Sequence, residues 1–242
     1  MLITTDAART FNTDSRLACT LAAVAGALNT AAFESVGFFA ANMTGNISSL
    51  SDHLAKINFS AGIFFLTIVF LFIAGSVCST LIINAGRRRG ISTIYAVNIF
   101  IEGLALMALG AAEIGLTLAS PGALLVLSLS FLMGLQNAVV TRISNARVRT
   151  THVSGTATDI GIELAMLFDV LRRKESPQNA PLYMERLRLH FYTVMAFLIG
   201  GVAGIWLFHW LGYFFLIVIG MGLLLLAMNT MFSKRLSPAQ GS

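Results

Sequence analysis

The apolar residues of this chain come in six long blocks separated by shorter polar segments. The blocks lie near residues 17–40, 60–84, 92–112, 118–141, 190–211 and 213–232. A helix needs about 20 apolar residues to cross the hydrocarbon core of a bilayer, and each block is close to or above that length. The apolar residues run continuously rather than along one helical face, which is typical of segments surrounded by lipid. The pattern predicts an all-α protein, a membrane bundle of six transmembrane helices.

Composition agrees with this prediction. Hydrophobic residues make up 56% of the 242 residues and charged residues 11%, with a mean hydropathy of +0.80. A typical globular protein carries about 25% charged residues. The net charge of +5 comes from residues between the apolar blocks, and no nucleic-acid-binding motif is readable. Cys19 and Cys78 lie in apolar blocks without a CxxC motif, so neither a metal site nor a disulfide is expected.

The lysine and arginine residues indicate which way the chain crosses. These residues accumulate on the cytoplasmic side of membrane proteins. With six spans and a cytoplasmic N-terminus, Lys56 is the one exception among the sixteen that falls outside. We therefore expect residues 1–16 and the tail 233–242 to be cytoplasmic, with one transmembrane domain over 17–232. The first apolar block is too long for a signal peptide, so we expect the N-terminal segment to be retained.

The long connection at residues 142–189 is rich in arginine and is expected at the cytoplasmic face. Part of it, residues 157–171, is apolar, and Asp159 and Glu163 lie four residues apart on one helical face. If this stretch crossed the membrane, the Arg-Arg-Lys sequence that follows it would lie outside. We therefore interpret it as an interfacial or re-entrant helix.

The two halves of the chain, residues 17–115 and 116–232, resemble each other at three places in the same order. Because each half holds three spans, the second half should be inverted relative to the first. Inverted repeats are a recurrent plan of secondary transporters, with the substrate site near mid-membrane at the repeat interface. The matches are Gly26–Ala31 with Gly134–Val139, Met43–Asn46 with Val153–Thr156, and Phe72–Val77 with Phe197–Val202.

Nine residues at or beside these matches are candidates for binding a solute. A glycine between hydroxyl and amide side chains suits a broken helix, whose freed backbone groups could bind a ligand. The alternatives are a capping turn for the glycine segments and helix-to-helix hydrogen bonds for the buried amides. The candidates are Asn29, Thr44, Gly45, Asn46, Gln136, Asn137, Ser154, Gly155 and Thr156.

Two acids within apolar surroundings, Glu34 and Glu102, are candidates for proton or ion coupling. A charge inside the bilayer is costly, so such residues usually face a cavity or a partner. The repeat aligns Glu34 with Arg142, which places Glu34 near the outer mouth of its helix. Glu102 lies deeper, so we expect it to be protonated or to face a polar interior; a buried hydrogen bond is the alternative to coupling. No GxSxG, HExxH or P-loop sequence is present, so we expect no catalytic residues, no cofactor and no enzyme activity.

Three segments make the chain resemble the YoaK family of uncharacterised bacterial membrane proteins. They are Phe39–Asn46, Gly134–Ala138 and Thr151–Thr158, and the likeness extends over about residues 17–232. The resemblance implies a protein of about six helices in the inner membrane of a bacterium. Members often carry Asp where this chain has Asn29, so a carboxylate role at that position is not carried over.

Two functional hypotheses follow. The first is a secondary transporter or permease for a small solute or ion that works by alternating access at the repeat interface. The second is a membrane scaffold or sensor that uses the basic loop 142–188 to contact partners or anionic lipid. Both require the lipid bilayer and neither requires nucleic acid. The solute, the coupling ion and the oligomeric state, a homo-oligomer included, stay open.

Overall fold

The computed structural model describes residues 2–3, 11–115 and 121–235, and over these residues the chain forms eight α-helices and no β-strand. Six of the helices, all except α2 and α6, are long and apolar enough to cross a membrane, which confirms the predicted bundle. Arg9, the rest of 4–10, residues 118–120 of the fourth predicted span, and 236–242 of the tail lie outside the described residues. The helices are α1 (Phe11–Val36), α2 (Met43–Ala55), α3 (Phe59–Arg88), α4 (Ile94–Gly115), α5 (Pro121–Ile143), α6 (Val153–Leu171), α7 (Ala180–Leu211) and α8 (Phe214–Arg235).

The first predicted span, residues 17–40, differs from the helix that forms. Helix α1 begins earlier and ends at Val36, because Gly37 adopts a φ of +76°, a left-handed conformation that breaks the helix and suits glycine. The short helix α2, which the hydropathy pattern did not separate, begins after this break. A tight turn separates the last two spans at Gly212, where φ is +55°.

Glycine residues hold helices of different halves together. Helix α1 packs along α7, and α3 packs along α5. A Cβ atom on Gly26 would lie 2.1 Å from the carbonyl oxygen of Phe197, and one on Gly75 would lie 2.0 Å from that of Phe131. A Cβ atom on Gly200 or Gly134 would likewise lie within 2.1 Å of a backbone carbonyl oxygen. Only glycine allows two helix backbones to approach this closely, so these positions are packing sites.

The second half of the bundle is upside down relative to the first. At one end of α1, Asp14 pairs with Arg147, which lies just after the end of α5. At the other end, Val36 lies against Gly122 at the start of α5. Helices α1 and α5 are therefore antiparallel, as an inverted repeat requires.

The outer face of α3 is apolar, as expected for a helix surrounded by lipid. Its exposed large side chains follow one another at helical spacing. They are Phe59, Ile63, Leu66, Phe70, Ile73, Val77 and Leu81.

Candidate functional site

The chain folds back into the bundle immediately after α1. The side-chain oxygen Oδ1 of Asn29 accepts a hydrogen bond from the backbone N–H of Ala41 at 2.9 Å. Asn29 lies about 10 Å from the Val36 end of α1, at a rise of 1.5 Å per residue. Helix α2 therefore begins deep beside α1 and returns along α3, where the His53 ring stacks on Phe65 at 5.4 Å.

The second half repeats this arrangement after α5. The Oδ1 atom of Asn137 accepts hydrogen bonds from the hydroxyls of Thr150 and Thr151 at 3.3 and 3.0 Å. Helix α6 begins beside Asn137 and returns along α7, where Glu163 lies 3.0 Å from His190. Of the two interpretations offered for residues 157–171, this geometry matches the re-entrant one.

The predicted unwound backbone at Thr44–Asn46 and Ser154–Thr156 is wrong, because both segments form the first turn of a helix. The break lies just before each of them, at residues 37–42 and 144–152. The Asn42 side chain accepts from the backbone N–H of Gly45 at 3.1 Å and so caps α2, which is the alternative that the sequence left open.

The two first-turn glycines leave room for the side chain that precedes their helix. A Cβ on Gly45 would lie 2.6 Å from Nδ2 of Asn42, and one on Gly155 would lie 2.6 Å from Cε1 of His152. These glycines are therefore placed to accommodate their neighbours rather than to bend the backbone.

One cavity of about 960 Å³ brings the starts of α2 and α6 together. It also contacts α1, α3, α5 and α7, and apolar side chains such as Phe39, Phe72 and Phe197 line much of its wall. A site that is mostly apolar with a few placed polar groups is typical of small-molecule binding. The sequence-predicted residues that line it are Asn29, Thr44, Gly45, Asn137 and Ser154.

The other four candidates are not among the lining residues. Asn46 is buried and its Nδ2 atom donates to the carbonyl oxygen of Phe39 at 3.1 Å. The hydroxyl of Thr156 donates to the carbonyl oxygen of His152 at 3.0 Å. Gln136 is fully buried, and its amide has no hydrogen-bond partner among the described residues. Gly155 lies against the His152 ring.

The lining residues that can carry a charge, Arg142, Arg149 and His152, were not among the candidates from the sequence. Arginines between apolar blocks were used only to orient the chain. The guanidinium of Arg149 lies 3.1 Å from Nδ1 of His152, and because it can only donate, Nδ1 is the acceptor. The Nη2 atom of Arg142 donates to Oδ1 of Asn84 at 2.8 Å. The position of His152, directly before the repeated Ser-Gly-Thr segment, was the signal available.

Neither of the two candidate coupling acids lines the cavity. Glu102 is 0% exposed on α4, and neither of its carboxylate oxygens has a hydrogen-bond partner among the described residues. Glu34 is partly exposed near the end of α1 and lies 3.0 Å from Nε2 of His209. Within the part of the chain that the structure describes, no group of three or more His, Cys, Asp or Glu side chains could hold a metal ion.

Comparison with known protein families gives a match over most of the chain. The family described as "Protein of unknown function (DUF1275)" matches residues 17–229, which is most of the chain. No curated protein and no solved structure matches it.

Proposed function

We propose that this chain, which belongs to the DUF1275 family of proteins of unknown function, is a permease that moves a small solute through the central cavity. The observation that carries the proposal is that equivalent short helices from two inverted halves begin at the same cavity. Binding sites of secondary transporters are typically formed by discontinuous helices at a repeat interface. The finer resemblance to the YoaK family names no solute and leaves this proposal unchanged.

The packing supports a mechanism of alternating access. Helices α1 and α7 form one closely packed pair and α3 and α5 form another, and each pair joins the two halves. The cavity lies between the pairs, with Asn29 and Phe197 on one side and Phe72 and Asn137 on the other. Movement of one pair against the other would open the cavity first to one face and then to the opposite face.

The scaffold alternative receives less support from the basic loop. Much of that loop is α6, which packs along α7 with Glu163 beside His190. Arg142 and Arg149 line the cavity rather than a separate basic surface. A loop used mainly to contact anionic lipid would be expected to keep such arginines together at the membrane surface.

A blocking substitution tests the permease. Thr80 lines the cavity, whereas the next residue on α3, Leu81, is exposed on the outer face. We expect Thr80→Trp to reduce solute flux into liposomes that contain the full chain to the level of empty liposomes. Leu81→Trp, with the same added side chain, should transport as the parent does. Equal flux through the two folded variants would contradict a path through this cavity.

A further inference from the structure

Positively charged side chains line the cavity. Arg142 and Arg149 line it, and no Asp or Glu occurs among its described lining residues. Both arginines are exposed, so their charges remain accessible to a ligand that enters. A cation bound here would lie near two guanidinium groups with no carboxylate to offset them, which disfavours cationic solutes.

The start of α6 adds backbone donors that its N-cap side chain does not use. Helix α2 is capped by the Asn42 side chain, but His152 makes no side-chain hydrogen bond to the first turn of α6. The first backbone N–H groups of a helix lack partners within the helix, and its N-terminus carries a partial positive charge. Val153 and Ser154 of this turn line the cavity, so the uncapped end lies where a ligand can reach it.

Asn29 supplies an independent observation. Its Oδ1 atom is used by the N–H of Ala41, which identifies Nδ2 as the remaining amide group. Asn29 is 6% exposed and lines the cavity, and Nδ2 has no hydrogen-bond partner among the described residues. Nδ2 is therefore a donor at the cavity wall that a ligand accepting hydrogen bonds can use.

We propose that the cavity binds a small anion, whose carboxylate, sulfate or phosphate oxygens accept from Arg142, Arg149 and the α6 N-terminus near one end of the cavity. Asn29, which lies further along α1, would donate to the anion at a second position on its path through the cavity. This proposal rests on the permease function and names its class of substrate. The anion's uncharged part, where it has one, would contact the apolar wall formed by Phe39, Phe72 and Phe197. The volume of about 960 Å³ accommodates a small organic anion.

Uptake and binding are measured separately to test the proposal. Liposomes that contain the full chain receive radiolabelled acetate, sulfate or phosphate as anions, choline as a cation and mannitol as a neutral solute. In parallel, the same sodium salts are added to the chain in non-ionic detergent and the unfolding temperature is followed. We expect at least one anion to enter and to raise the unfolding temperature, with choline and mannitol doing neither.

Arginine variants connect the anion to the cavity. Arg142→Gln and Arg149→Gln should each weaken anion binding by about tenfold or more, because each removes a charge-assisted hydrogen bond. Arg88→Gln removes an exposed arginine that does not line the cavity and should leave binding unchanged. Equal weakening by all three variants would indicate a general charge effect and would overturn the site.

The two measurements separate failure of the substrate class from failure of the permease. Entry of mannitol or choline without binding of any anion overturns the anion site and leaves the permease standing. Anion binding that depends on Arg149 without flux of any probe overturns the permease and leaves the site standing. Protection by phosphatidylglycerol in the micelles, with none from acetate, sulfate or phosphate, would show that the cavity holds a lipid headgroup and overturn the proposal of a small anion.

Discussion

The side-chain oxygen of Asn29 accepts the backbone N–H of Ala41 at 2.9 Å, and this bond sets where the second helix begins. The equivalent bonds in the inverted half join Asn137 to the hydroxyls of Thr150 and Thr151. Both asparagines lie one to two turns before the end of a spanning helix. The same residue type therefore holds the returning chain at matching places in both halves.

Removing the Asn29 side chain should release the returning loop. In Asn29→Ala the buried N–H of Ala41 loses its acceptor, which should cost about 1–3 kcal/mol of the free energy of unfolding. Asn29→Asp keeps an oxygen acceptor and should retain the fold. Hydrogen exchange at the Ala41 amide measures the effect directly: we expect fast exchange in the alanine variant and parent-like protection in the aspartate variant.

The aspartate variant also separates the fold from the site. It replaces the donor Nδ2 with a negative charge in the cavity, so anion binding should weaken even though the loop stays in place. An aspartate variant that binds anions as well as the parent would contradict a ligand contact at Asn29, whatever its stability.

The glycine contacts between halves predict a steep cost for one added methyl group. Gly75→Ala would place Cβ 2.0 Å from the carbonyl oxygen of Phe131, and Gly26→Ala would place it 2.1 Å from that of Phe197. Because a backbone atom cannot move aside as a side-chain end can, both variants should lose about 1–3 kcal/mol of stability. Denaturant unfolding in detergent micelles checks this expectation.

Gly222 provides the matched control on α8. No atom lies within 4 Å of a Cβ built at this helical position. Gly222→Ala should therefore be neutral or stabilise the protein by about 0.5–1 kcal/mol, because alanine is the better helix former. If all three alanine variants unfold alike, close approach of the backbones is not what these glycines provide.

The spans and the repeat could be read from the sequence because both depend on local patterns. Blocks of about 20 apolar residues predicted the six spanning helices. The match of Asn29 with Asn137 predicted two equivalent positions, and the structure gives both the same role of holding a loop. Gly75 and Gly200 lie at equivalent places in one of the matched segments, and each contacts the backbone of a helix from the other half.

The details of the cavity could not be read in the same way. Hydropathy merged α1 with the loop before α2, because Phe38, Phe39 and Ala40 are as apolar as the helix they follow. Arg142 and Arg149 appeared as markers of orientation, since nothing in their spacing shows that the chain returns between them. Whether Thr44 and Asn46 face a cavity depends on the rotation of α2, which its neighbours determine rather than its own sequence.

A buried ion pair joins the start of α1 to the connection after α5. Asp14 is 1% exposed and its carboxylate lies 2.8 Å from the half-exposed guanidinium of Arg147. Arg147→Ala should destabilise the protein by about 1–3 kcal/mol, because it removes a cation and a charge-assisted hydrogen bond from a buried carboxylate. The double variant with Asp14→Ala should recover part of that loss, and a double-mutant cycle of unfolding free energies measures the coupling.

The exposed pair of Lys56 and Asp52 provides the contrast. It has the same separation of 2.8 Å, but both side chains are more than half exposed. Solvent screens such a pair, so Lys56→Ala should give no measurable change in stability. A second double-mutant cycle, on Lys56 and Asp52, measures the coupling in the exposed pair. If both pairs show the same coupling energy, burial of Asp14 does not determine the strength of its pair.

Cysteine labelling tests the arrangement of the whole chain across the membrane. The ends of α3 and α5 lie together, since Arg142 donates to Asn84, and so the turn after α3 and the connection after α5 are on one face. In a chain with Cys19 and Cys78 replaced by serine, we expect Arg89→Cys and Arg173→Cys to react with a membrane-impermeant maleimide only after cells are opened.

Lys56→Cys should show the opposite behaviour and react in intact cells. It follows α2, and the structure places it at the far end of α3 from Arg89. The asymmetry of lysine and arginine predicts that this end faces outward. Reaction of the cysteines at 89 and 173 on different faces would contradict the inverted arrangement, because α6 would then cross the membrane instead of returning to the face where α3 and α5 end. The same result would contradict a solute path through the cavity between the two helix pairs.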